Sequence, residues 1–290
     1  MSVKKILSIS LICLAVIAFA VLIIINRNQP ADNYKLLPRS SDSNLPSEYV
    51  NAQKTVDYYR AEIEKHPKMT KNYIELAQVY LQEARITGNH HYYIPKADEL
   101  VNEALNINPN DFESMITKAS IYMIYHQFDK AKNLAEKVIQ QNNYNAFAYG
   151  VLTDALVELG EYDKAVKSCD QMLNIRPDLR SYARASYLRE IYGKTDDAIE
   201  AMLKAANAGV SGQENRAWTL YNLGNLFFNM GKLDSAEYIY NGILEERPNY
   251  GYALSGLADV NSARKNYSKA IELLVRASQA TPNHIFIEGN

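Results

Sequence analysis

Five histidines, His66, His90, His91, His126 and His284, are the side chains best suited to proton transfer or metal ligation. None recurs with a Cys, Asp or Glu at the spacing that places metal ligands on one helix face. The "HHYY" at residues 90–93 is the best candidate, because it falls in an eight-residue insertion between Tyr80 and Ala97. Long irregular loops carry function more often than their share. The insertion reads as a solvated loop, with a metal or ligand site as the alternative. Ser168, Cys169 and Asp170 are adjacent in sequence only. Successive residues on a helix point about 100° apart, so they cannot form a nucleophile–base pair. Cys169 reads as a small buried hydrophobe. The sequence holds no G-x-S-x-G, glycine-rich phosphate loop, H-E-x-x-H or C-x-x-C. No catalytic residue, metal site or cofactor is therefore assigned, and the chain is expected not to be an enzyme.

The composition sets outer bounds. Beyond residue 30 the chain carries 28 basic against 33 acidic residues. That balance excludes the basic stripe of a nucleic-acid binder, so no nucleic-acid partner is expected. Of the two cysteines, Cys13 lies in an apolar N-terminal run and Cys169 on a helix, which gives no disulfide framework.

The organisation shows in the small residues. Ala97, Ala131, Ala165, Ala198, Ala236 and Ala270 follow one another at intervals of 34, 34, 33, 38 and 34 residues. Pro109, Pro177, Pro248 and Pro282 keep nearly the same period, at one or two units apart. Self-similarity near 34 residues marks a helix–turn–helix solenoid. Two antiparallel helices on a tight turn must approach closely, and a small side chain at the crossing permits it. Each unit has its Ala early in the second helix and another small residue in the first: Ala77, Ala119, Thr153, Ser186, Gly224 and Ala258. Bulky neighbours at steps of 3, 4 and 7, such as Leu220, Leu223 and Phe227, share one helical face.

These residues resemble the tetratricopeptide repeat, best in "LYNLGNLF" with "SAEYIYNGILEERP". The resemblance covers about six units, from Thr70 to Pro282. It implies an all-α, right-handed superhelical solenoid. The whole arrangement looks like that of uncharacterised bacterial tetratricopeptide proteins with a membrane-directed N-terminus. The expected units are 68–110 (with the insertion at 85–94), 111–144, 145–178, 179–213, 214–249 and 250–283. Residues 47–67 are read as a capping helix, and 284–290 as the clipped start of a seventh unit. Leu273, Leu274 and Val275 are expected to lack full cover there, so the C-terminal edge is expected to self-associate or dock a partner.

In a curved stack the first helices line the concave face. The residues beside each core stripe are expected to face that groove and bind a partner protein or peptide. In the last three units these are Arg180, Tyr187, Trp218, Tyr221, Asn225, Phe228, Asn229, Tyr252 and Asp259. In the first three they are Lys71, Gln78, Glu113, Ser120, Phe147 and Asp154. Rings give contact area at low entropic cost, and carboxamides pair with a peptide backbone. For Trp218 and Phe228 the alternative is that they fill the core between units. Some members of the family hold an acidic C-terminal peptide in a clamp of Lys, Asn and Arg; Asn222 and Asn225 are present here without the neighbouring lysines, so that set is not reproduced.

Residues 1–25 contain an uncharged run from residue 6 to residue 25 behind Lys4 and Lys5. At about 1.5 Å per residue the run spans a bilayer core of about 30 Å. It is expected to be a single-pass anchor. A cleaved signal sequence, with "AFA" at residues 18–20, is the alternative and would give a secreted solenoid. The lysines favour repeats outside the cytoplasm, in the periplasm if the source is Gram-negative. Residues 26–46, with three prolines, read as a flexible polar linker. The expected function is a membrane-tethered, non-catalytic scaffold, the alternative being the recruiting region of a larger enzyme or sensor.

Overall fold

The computed structural model describes residues 34–39 and 46–282. The chain divides into two compact units, Met1–Leu37 and Pro38–Asn290, and every described helix belongs to the second. Of the first, only residues 34–37 are described, as a turn followed by irregular chain. The apolar run at 6–25 and the stretch at 284–290 lie outside the described residues. Among the described residues no helix is long and apolar enough to cross a membrane.

Thirteen helices and no strands occur among the described residues. They are α1 (Pro46–Lys65), α2 (Thr70–Thr87), α3 (His90–Ile107), α4 (Phe112–Ile124), α5 (Phe128–Gln141), α6 (Ala146–Glu158) and α7 (Tyr162–Ile175). Then follow α8 (Leu179–Ile191), α9 (Thr195–Ala208), α10 (Glu214–Asn229), α11 (Leu233–Glu246), α12 (Gly251–Ala263) and α13 (Tyr267–Ala280). After α1 they form six pairs, from α2/α3 to α12/α13. Each helix packs on its chain neighbours. The first helices also pack on one another in sequence: α2 on α4, α4 on α6, α6 on α8, α8 on α10 and α10 on α12. The second helices make no comparable contact, so the first helices lie on the inside of the curve.

The turn inside each of the last five pairs has one design. A left-handed residue (His126, Gly160, Gly193, Gly231 or Lys265) closes the first helix. The next N–H then donates to a carbonyl five residues back, as from Glu161 to Leu156 and from Lys232 to Phe227. This is the Schellman closure, which satisfies helix-end carbonyls. Glycine adopts the left-handed region freely; His126 and Lys265 do so at a cost. Between pairs, side chains cap the next helix: Asp111 and Asn145 accept from backbone N–H groups, and Asp178 forms a capping box with Ser181. Pro109, Pro177, Pro248 and Pro282 follow the ends of second helices, where a chain that cannot donate suits a stop.

The crossings are as tight as the small residues require. Ala77, Ala97, Ala119, Ala131, Ala165, Ala198, Ala236, Ala258 and Ala270 are all buried. Ser186 donates from its hydroxyl to the Ala198 carbonyl at 2.7 Å, which ties α8 to α9. The closest approach is made by Tyr240 of α11. Its ring is wedged between Gly224 and Gly256, where an added Cβ would lie 2.3 Å and 2.5 Å from ring carbons.

Three expectations are corrected. The insertion is not a loop: it lengthens both helices of the first unit to 18 residues each, against 13 or 14 in the three pairs that follow. Gly88, in the left-handed region, closes α2, and α3 begins two residues later. Tyr93 is buried and stacks on Tyr80 with ring centroids 5.9 Å apart, so the apolar rings hold the added turns helical. His90 and His91 are exposed on the first turn of α3. The linker is not wholly free of the fold: Arg39 is buried and forks onto Glu83 of α2, at 2.5 and 3.1 Å. At the C-terminal edge, Leu273 is buried and Leu274 packs against the same core, because α12 covers them. Only Val275 of the three stands exposed, in a stripe with Tyr267 and Ile271.

Gly224→Ala is expected to cost about 1–3 kcal/mol, because Tyr240 is blocked by Gly256 from moving aside. A urea denaturation curve of the variant checks this.

Candidate functional site

The inner faces of the first helices, with α1 and residues 210–213, line an open cavity of about 1270 Å³. Five of the expected groove residues line it: Arg180 and Tyr187 from α8, and Trp218, Asn225 and Asn229 from α10. Gln78, Ser120, Phe147 and Asp154 from α2, α4 and α6 join them. The wall therefore draws on five consecutive first helices.

Tyr221, Phe228, Tyr252 and Asp259 are not part of that wall. Tyr221 and Phe228 pack against the core built by α10 to α13. Phe228 thus takes the core alternative, while Trp218, 37% exposed, borders the cavity and touches the ring of Tyr252 at 4.9 Å. The sixth unit contributes no residue to the wall. Arg85 and Ile86, at the end of α2, share a small pocket with Tyr250, Gly251 and Tyr252 at the start of α12. Lys71 and Glu113 are exposed and lie outside the wall.

The polar groups of the wall are held by their neighbours. Asn225 accepts from the Tyr240 hydroxyl at 2.7 Å through Oδ1, and its amide N–H donates to the Tyr221 hydroxyl. Asn222 donates to the Trp218 carbonyl at 2.7 Å. Arg184 forks onto Asp154 of the preceding unit at 2.6 and 2.8 Å. Arg180 stands open to the cavity, with its guanidinium 5.8 Å from the centre of the Phe147 ring.

The cavity closes where distant parts of the chain meet. Glu48 of α1 binds Arg247, which follows α11, at 3.1 Å, across 199 positions of sequence. Arg247 also donates to the Gly212 carbonyl at 2.7 Å. On the other side Arg39 binds Glu48 at 2.8 Å. Burial works to raise the Glu48 carboxyl, but the hydrogen bonds and charges of Arg247 and Arg39 outweigh it and hold the group below the ordinary carboxylate range. A second link joins Arg85 of α2 to Glu214 of α10 at 2.7 Å. Glu214 also accepts from the Tyr250 hydroxyl at 3.2 Å. Burial and the Glu214 charge push the Tyr252 phenol up to about 12. Glu48, Arg85, Gln82 and Glu214 were not among the residues expected here. Their signal is partner choice across a long loop of chain, which periodicity does not reveal.

Among the described residues no group of three or more His, Cys, Asp or Glu is placed to hold a metal ion. Cys169 is buried in α7, and burial pushes its thiol up to about 11.

The family model described as tetratricopeptide repeat matches residues 122–189 and 227–285. The chain is a tetratricopeptide-repeat protein. It is 25% identical over 165 residues to cellulose synthase operon protein C of Pseudomonas fluorescens, covering 55% of this chain and 13% of that one. It is 24% identical over 173 residues to a TPR repeat-containing protein of Methanocaldococcus jannaschii, covering 48% of this chain and 30% of that one. The tetratricopeptide chain described here thus spans less than a third of the length of either relative. Among solved structures, a chain of the APC/C hetero-tetramer Cut9–Hcn1 superimposes with a TM-score of 0.64 at 18% identity, over 82% of this chain and 45% of that one. That likeness shows the shared fold.

A thiol raised to about 11 is almost wholly protonated at pH 8, and only the thiolate alkylates. Cys169 of the folded protein is expected to resist iodoacetamide at pH 8 and to react fully once unfolded in guanidinium, as read by mass spectrometry.

Proposed function

We propose that this tetratricopeptide protein is a membrane-tethered, non-catalytic scaffold that holds an extended segment of a partner protein in its concavity. The observation that carries the reading is the cavity. Its volume of about 1270 Å³ exceeds the range of about 300–1,000 Å³ usual for small-molecule pockets. Its wall alternates rings (Phe147, Tyr187, Trp218) with carboxamides (Gln78, Asn225, Asn229), the mixture that suits a peptide's side chains and its backbone. Tetratricopeptide folds as a class support interaction rather than chemistry, and the buried, protonated Cys169 offers no nucleophile.

The tether is supported by the uncharged run at residues 6–25 behind two lysines, which favour repeats on the extracytoplasmic side. It predicts that the full chain, expressed in a bacterial host, stays with the membrane pellet after alkaline carbonate. Release of the intact chain into the supernatant would refute it.

The groove is tested with Tyr187→Ala and Asn229→Ala together, since both side chains are exposed on the cavity wall and neither supports the core. Crosslinking from native membranes is expected to capture at least about tenfold less partner, a loss of about 1.4 kcal/mol. Unchanged capture by a normally helical variant would rule the cavity out as the binding surface. Tyr221 is the poorer probe, because its ring is part of the core.

A further inference from the structure

The join between the first unit and the fifth and sixth differs in kind from every join between chain neighbours. Neighbouring units share helix-on-helix packing over apolar clusters. No helix-on-helix packing of that kind crosses the seam between α1–α2 and α10–α12. What crosses it is chiefly long charged side chains, Glu48 to Arg247 and Arg85 to Glu214, with Ile86 beside Tyr250 and Tyr252. The same residues are part of the cavity. Glu48, Arg85 and Glu214 all line its wall, so parting the seam opens that wall along one side.

The energetics favour a seam that parts without unfolding what it joins. An ion pair taken out of water repays little more than its own desolvation, so it fixes a geometry more than it adds stability. Each side has an apolar core of its own, around Tyr80, Tyr93 and Leu100 in the first unit and around Tyr240 and Leu254 in the last two. Arg39 is placed to keep α1 with the first unit in that event. Its pair with Glu83 is almost wholly buried, with both side chains 1% exposed, so the break falls between Glu48 and Arg247.

We infer that the solenoid is a ring that opens at this seam, and that an extended segment enters the cavity sideways through it. The segment is enclosed when Glu48–Arg247 and Arg85–Glu214 re-form. A strand inside a longer partner is admitted this way without a free end to thread. The occupant's identity rests on the scaffold reading above; the opening itself needs no occupant.

The test reads the seam directly in the full chain in detergent. Cys13 is replaced by Ser, buried Cys169 is kept, and spin labels are placed at Lys54→Cys on α1 and Asn241→Cys on α11, both exposed positions. Pulsed dipolar spectroscopy is expected to give one narrow distance with the seam intact. Arg85→Glu sets a carboxylate against Glu214, and Arg247→Glu sets one against Glu48. Each is expected to enlarge a longer, broader population by about tenfold or more, at unchanged helical content. Arg85→Glu combined with Glu214→Arg is expected to recover the short distance. If Arg247→Glu lowers helical content, Arg85→Glu, made at a half-exposed side chain, decides the matter. An unchanged distance in a fully helical Arg85→Glu variant overturns the inference, as does a broad, long distribution with the seam intact. Loss of capture by the groove variant leaves this distance unmoved, so the two readings fail separately.

Discussion

A helix pair of this length has two apolar faces and covers only one of them by folding on itself. Every other feature follows from that shortage. The second face needs another pair, which brings a new uncovered face with it, and the chain solves the problem by stacking. Close approach then becomes the condition of burial. It is met by the small residues at the crossings and most severely at Tyr240, whose ring fits only because Gly224 and Gly256 carry no side chain. The five shared turns serve the same end. Each reverses the chain within a few residues, so that the two helices of a pair lie side by side from their first turns.

Stacking with a constant offset produces curvature, and curvature produces an inside. The inner layer is made of first helices because they pack on one another while the second helices do not. The inside remains polar because its side chains already have partners. Arg184 is occupied by Asp154 and Asn225 by Tyr240, and of the wall groups named above Arg180 is the one that stands open to the cavity. Charge pairs also join neighbouring units, as Arg184 with Asp154 and Arg264 with Asp234, while Arg216 with Glu246 ties the two helices of the fifth unit together.

Much of this was legible in the sequence because it is local or repeated. The alanine and proline spacing gives the pairs, and the steps of 3, 4 and 7 give the core faces. The wall residues Arg180, Tyr187, Trp218, Asn225 and Asn229 follow from the same register. Tyr221, Phe228, Tyr252 and Asp259 fall outside the wall although a register that treats every unit as equivalent puts them on the groove: Tyr221 and Phe228 pack into the core of the last two units, and no residue of α12 lines the wall. The insertion reads as a loop because it falls where the other units have only a short turn. Tyr93 stacking on Tyr80 makes it helix instead. Contacts between residues some two hundred positions apart leave no periodic trace.

The added turns of the first unit acquire their meaning here. Glu83 and Arg85, the partners of Arg39 and Glu214, both lie in the closing turns of α2. A first helix of thirteen residues, as in α4 or α6, would end before it reached that far. The link from Arg85 to Glu214 would then be lost, and Arg39 would have no buried carboxylate to fork onto. One helix therefore works as a ruler: its length decides whether the first unit reaches the fifth along this edge.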